Sequence, residues 1–223
     1  MTLALRQIAM LALKDLRIEA RTKQTLGLIV VLGVLIVAVL GLGPERLAAG
    51  FGAPAVLWVA YLFGGVMCFE KTMAVERDDA AMAGLLMAPV DRSVIYAAKL
   101  ITNLVLMLAL AAVVTPVAIV LFGFDLSAAP ASFCLVMVIA MIGYAAVGTL
   151  FAAAVSSTRL RGGLLAIAIF PISLPLVLAS TQMLSDVFRG GEPVGGTGLA
   201  VLLAFDAIYL VVSWIVFELV LEP

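Results

Sequence analysis

The run Leu26–Gly43 reads LGLIVVLGVLIVAVLGLG, 18 residues without a charge or a strongly polar side chain. The hydrocarbon core of a bilayer is about 30 Å thick and a helix rises about 1.5 Å per residue, so a membrane-spanning helix needs about 20 such residues. Five further runs have the same character: Ala53–Phe69, Leu100–Phe122, Ala131–Val155, Gly163–Met183 and Leu199–Leu221. They are apolar throughout rather than alternating, which excludes the period of a transmembrane β-barrel. Six helices satisfy every backbone group within themselves, as lipid requires. The expected fold is an all-α membrane protein, a single transmembrane domain over residues 1–223.

Composition agrees. Of the 223 residues, 65% are hydrophobic and 12% charged. A soluble domain carries about 25% charged and 45–50% apolar residues. A soluble enzyme and a disordered chain are both excluded. The chain has no histidine. Histidine-based catalytic triads, zinc sites and haem ligation by histidine are therefore excluded for this chain by itself. No G-x-x-x-x-G-K pattern occurs, so ATP hydrolysis by a P-loop is excluded too. Neither paired intramembrane acids nor a Ser–Lys pair is visible in the runs, and no catalytic residue is assigned. The two cysteines, Cys68 and Cys134, fall near opposite ends of their runs, and both are expected to be buried thiols too far apart for a disulfide.

Charge sets the topology. Eleven of the thirteen basic residues fall before the first run (Arg6, Lys14, Arg17, Arg21, Lys23), between the second and third (Lys71, Arg77, Arg92, Lys99) and between the fourth and fifth (Arg159, Arg161). Only Arg46 and Arg189 lie on the other side. The positive-inside rule places both termini in the cytoplasm of a cell whose inner membrane the chain crosses six times.

Two segments are not spans. In residues 3–23, Leu5, Ile8, Ala9, Ala12, Leu13, Leu16 and Ala20 follow the spacing of one helical face, with Lys14, Arg17 and Arg21 opposite. A basic amphipathic helix over 1–24 suits the lipid headgroups of the cytoplasmic leaflet, with or without a protein partner. The second segment, 70–99, holds nine of the 27 charged residues. Here Glu76, Arg77, Asp78 and Asp79 precede Met82, Leu85 and Leu86 and then Pro89, which predicts a short amphipathic helix capped by Asp78 or Asp79 and stopped at Pro89. Asp91 is placed to cap the next helix. An amphipathic helix between two spans is expected as a docking element, the other reading being a solvated loop.

Within the spans, Asp206 is the one acid away from the ends. It costs a few kcal/mol unless it faces the protein interior or reaches water. It serves either a contact or gate, or a hydrogen-bonded structural role. Pro116, Pro171 and Pro175 interrupt otherwise continuous helices, as hinge or cavity lining or as plain kinked packing. Gly143, Ala145, Ala146, Gly148, Ala152 and Ala153 give the fourth run a side of small residues suited to close helix approach.

The stretch Glu76-Arg77-Asp78-Asp79, then Gly84-Leu85-Leu86-Met87-Ala88-Pro89-Val90-Asp91-Arg92 and Lys99, resembles the cytoplasmic signature of type-2 ABC exporter permeases. Together with Gly143–Phe151 followed by Ser157–Arg161, and with Phe170-Pro171-Ile172-Ser173-Leu174-Pro175, it resembles within that group the CcmB family of cytochrome c maturation. Ala80, Ala81 and Ala83 stand where that family carries a glycine and an acid. The resemblance implies a type-2 exporter-like fold with an N-terminal elbow helix and a cytoplasmic coupling helix. It implies an ABC ATPase subunit docking on Glu76–Arg92, with Arg159 and Arg161 as a second, smaller contact. It further implies a haem-handling membrane subunit, a small accessory membrane protein and a periplasmic haem chaperone as partners. Haem and ATP would be handled by those partners, with no cofactor bound by this chain and no nucleic acid involved. Other readings are a type-2 permease for a drug or lipid-linked glycan, or a membrane scaffold without transport.

Overall fold

The computed structural model describes residues 2–42, 52–78, 91–123, 129–156, 163–190 and 195–220. They form helices α1 (Thr2–Thr22), α2 (Gln24–Leu42), α3 (Ala53–Asp78), α4 (Arg92–Phe122), α5 (Pro130–Ser156), α6 (Leu164–Gly190) and α7 (Gly196–Val220). No strand occurs among the described residues. Helices α2 to α7 are each long and apolar enough to cross a membrane. The protein is an all-α, multi-pass membrane protein.

The bundle alternates direction. Near one end, Lys99 at the start of α4 meets Thr72 late in α3, and Tyr96 packs on Phe217 late in α7. Near the other end, Gly41 closing α2 lies against Phe122 closing α4, and Phe133 opening α5 packs on Phe188 closing α6. We call the first the basic end. Helix α5 is central, packed on α3, α4, α6 and α7. Its span is 72% buried, against 22% for α2 and for α7. The small side chains explain this position. Ala145 and Ala146 are fully buried, and a Cβ on Gly148 would overlap the Phe69 ring. The small-residue side therefore serves packing within the chain, where close approach gains dispersion contacts.

Two helices run beyond their apolar stretch. Helix α4 begins at Arg92, not Leu100, and its 31 residues make it roughly 46 Å long at 1.5 Å per residue. Helix α3 does not end at Phe69 but carries its hydrogen-bond ladder through to Asp78. Helix α4 stops at Gly123, whose φ of 69° is left-handed and whose N–H bonds back to the Ile119 carbonyl at 2.9 Å. Glycine takes that conformation without a Cβ clash. Pro116, Pro171 and Pro175 all lie inside unbroken helices.

The α1–α2 junction is tight. Lys23 turns the chain with φ of 51°, and its N–H bonds to the Glu19 carbonyl at 2.6 Å. The Glu19 carboxylate then accepts from the Leu26 N–H at 2.6 Å, so an acid from α1 caps the first turn of α2. A left-handed conformation costs a non-glycine residue about 1–2 kcal/mol, part of which glycine's own chain entropy offsets. Lys23→Gly is expected to stabilise the detergent-solubilised protein by up to about 1 kcal/mol, read as a raised melting temperature.

Candidate functional site

Two sets of polar side chains in the bundle stand out, one paired into a network and one left without partners. The first is at the basic end. Lys99 points inward from the first turns of α4, and its side chain is only 5% exposed. Its Nζ donates to Asp15 Oδ2 of α1 at 2.7 Å and to the Thr72 carbonyl of α3 at 3.4 Å. The Thr72 hydroxyl donates to Asn103 Oδ1 at 2.8 Å. Asn103 Nδ2 donates to Thr149 Oγ1 of α5 at 2.9 Å. One hydrogen-bonded ladder thus joins α1, α4, α3 and α5. A small hollow of about 30 Å³ beside it is lined by Asp15, Glu19, Thr25, Thr72, Lys99 and Thr102 among others. Buried polar groups are costly unless paired, and this network pairs them.

The apolar face that sequence periodicity picks out on α1 points mostly away from the bundle. Ala12 is buried, with Leu11 and Leu16 against the core, but Leu5, Leu13 and Ala20 are exposed. The inward face instead carries Asp15 and Glu19, because Lys99 and the first N–H groups of α2 are there to receive them. Asp15, Thr72, Asn103 and Thr149 had no assignment from sequence. The available signal was an acid at position 15, three residues beyond Ala12 and so on the same helical face.

The second set is inside the membrane. Asp206 lies ten residues into α7, roughly 15 Å along it. It is 7% exposed, and its Oδ1 has no hydrogen-bond partner. It fits because residue 143 of α5 is glycine: a Cβ there would overlap Asp206 Oδ1 and come within 2.7 Å of Leu176 Cδ1. Asp206 therefore faces the protein interior, but the hydrogen bond expected of a structural acid is missing at Oδ1. The Ser173 hydroxyl of α6, between Pro171 and Pro175, and Trp58 Nε1 of α3 are likewise buried without a partner. By contrast Tyr144 donates to the Leu62 carbonyl at 2.7 Å, and Tyr61 shares a 2.7 Å hydrogen bond with Thr115.

The sequence-assigned docking residues divide. Glu76, Arg77 and Asp78 form the last residues of α3, and the short helix that Asp78 or Asp79 is expected to cap lies outside the described residues. Asp91 is the N-cap residue of α4, but its side chain makes no capping bond; its carbonyl accepts from the Val94 N–H at 3.0 Å. Arg92 is the first residue of α4. Asp79, Met82, Gly84, Leu85, Leu86 and Pro89, with Arg159 and Arg161, lie outside the described residues. Cys68 is buried but Cys134 is exposed, correcting the expectation that both are buried. Among the described residues no group of three acids or cysteines is placed to hold a metal ion.

Six apolar helices around a small-residue core, with a basic amphipathic helix tied to one end by a buried ion pair, define a polytopic α-helical membrane protein. The family model described as "CcmB protein" matches residues 6–221. The chain belongs to the CcmB protein family. It is also 24% identical over 205 residues to "Heme exporter protein B" of Bradyrhizobium diazoefficiens, covering 90% of each chain.

Proposed function

We propose that this chain is the membrane permease subunit of an ABC-type complex for cytochrome c maturation, and a transporter subunit rather than an enzyme. In this reading a separate ATPase hydrolyses ATP at the cytoplasmic face. The permease turns that motion into haem export or release of a haem-loaded chaperone. Membership of the CcmB family, and a relative named for haem export, support the substrate class. The chain itself has no histidine, so haem ligation falls to a haem-handling membrane subunit and a periplasmic chaperone, with a small accessory membrane protein beside them. The inner membrane, with both termini cytoplasmic, is the location that the charge bias supports.

The observation that carries the coupling is the continuity of α3. It runs from the spanning core into Glu76-Arg77-Asp78 without a break, and Thr72 near that end bonds to Lys99 and Asn103 of α4. A push on the loop that follows would move α3 and α4 as one rigid body. Met82, Leu85 and Leu86 supply the apolar side of a helix-in-groove contact with the ATPase, and Glu76, Arg77, Asp78, Asp79, Asp91 and Arg92 its charged rim. Gly84 belongs to the same coupling segment, Pro89 would stiffen the chain that follows it, and Arg159 and Arg161 would add a second contact.

The triple reversal Glu76→Lys, Asp78→Lys and Asp79→Lys tests this in the co-expressed native complex. Juxtaposed like charges cost several kcal/mol. The ATPase is expected to fall off the complex, or its turnover to lose dependence on the membrane subunits, with at least a tenfold drop in cytochrome c maturation. Full retention of the ATPase with unchanged maturation would mean the chain is a scaffold.

A further inference from the structure

Helix α1 presents three bands. One, with Ala12, Asp15 and Glu19, turns inward, Asp15 to α4 and Glu19 to the first turn of α2. A second exposes Leu5, Ala9 and Leu13. The third bears Lys14, Arg17 and Arg21, spaced three and four residues apart so that they stack in one row. Along the third band, on one face of α1, lies an open hollow of about 510 Å³, lined by Met10, Leu13, Lys14, Arg17, Ile18 and Arg21. No acidic side chain lines it. Arg21 is three residues before Gln24, where α2 begins its span, so the hollow sits at headgroup depth.

We infer that this hollow binds one anionic phospholipid, its phosphate against Arg17 and Arg21 and its acyl chain against Met10, Leu13 and Ile18. The lining decides the ligand. A free phosphate would use the cations and leave the three apolar side chains in contact with nothing. A zwitterionic lipid brings a choline cation into a row that is already positive. An anionic phosphodiester joined to an acyl chain satisfies both parts, and guanidinium groups offer paired donors to its oxygens. The site would anchor α1 at a fixed depth, whatever the bundle transports, so its failure and the failure of the transport reading are separable.

Native mass spectrometry of the full-length protein in detergent, titrated with phosphatidylglycerol or phosphatidylcholine, is the test. Phosphatidylglycerol is expected to saturate one tight site per chain and phosphatidylcholine to bind only non-specifically. Arg17→Gln with Arg21→Gln should weaken the phosphatidylglycerol site roughly thirtyfold, the contribution of two interfacial cations. Arg17→Lys with Arg21→Lys, which keeps the charge, should retain most of the affinity. Equal binding of the two lipids would overturn the proposal, as would an unchanged titration for the Gln pair. Displacement of the lipid by inorganic phosphate at matched concentration would also overturn it, assigning the row to a free anion. So would a Gln pair that loses a soluble partner protein while binding lipid normally.

Discussion

Lys99→Met is expected to destabilise the protein by about 2 kcal/mol and to free α1 from the bundle. The substitution keeps the aliphatic stem and deletes the ammonium. Asp15 is then left 12% exposed with one cation, Lys14 at 3.2 Å, itself 43% exposed. Breaking a fully buried pair costs about 3–5 kcal/mol; the remaining Lys14 contact and the partial exposure of Asp15 hold the figure below that. The Thr72 carbonyl also loses a donor. Thermal unfolding in detergent reads the stability, and hydrogen exchange across residues 2–22 reads the detachment of α1. Lys99→Met with Asp15→Asn is expected to cost less than the sum of the two single changes, because the second removes the charge that the first strands. If α1 stays as protected in the single variant as in the wild type, the ion pair does not hold it. In the proposed transport cycle the same change should uncouple α1 from α3 and α4 and lower maturation activity without loss of the ATPase from the complex.

The six spans were legible because lipid admits so few solutions. A run such as Leu26–Gly43 has no reading in water, and once in lipid its backbone must be helical. The helix ends were less legible, since hydropathy reports where lipid stops and not where the hydrogen-bond ladder stops. Apolarity ends at Leu100 and Phe69, while the helices extend to Arg92 and Asp78. Helix α1 was legible as a helix, but its orientation was not, because the partner of Asp15 lies 84 residues away in sequence. The same holds for Thr72 with Asn103, 31 residues apart, and for Asn103 with Thr149, 46 apart. Each is an unremarkable polar residue until the bundle brings it to its partner. Asp206 stood out for the cost of an acid in lipid, yet nothing in its neighbourhood in sequence pointed to Gly143 as the residue that makes room for it.

Gly143→Ala tests that relation and is expected to destabilise the bundle by about 1–3 kcal/mol, the range for overpacking a close-packed interior. The new Cβ would overlap Asp206 Oδ1 and approach Leu176 Cδ1 at 2.7 Å. Neither neighbour has free space, as Leu176 is fully buried and Asp206 nearly so. The carboxylate has two ways to yield. It can rotate towards lipid, which exposes a polar group to hydrocarbon, or it can push α7 away from α5. The second would also strain the α5–α7 contact that Ser213 and the Ala146 carbonyl share, at 3.4 Å. Asp206→Ala alone should be nearly neutral or mildly stabilising. It leaves a small void, but it also removes a buried oxygen that has no partner. The decisive measurement is the double variant. With the carboxylate gone, the alanine at 143 has somewhere to sit, so Gly143→Ala with Asp206→Ala should be more stable than Gly143→Ala by about 1 kcal/mol or more. Additive melting shifts would show that Leu176, not Asp206, opposes a side chain at 143. Loss of maturation activity in Asp206→Ala at undiminished stability would place the unpartnered oxygen in the transport mechanism rather than in the packing.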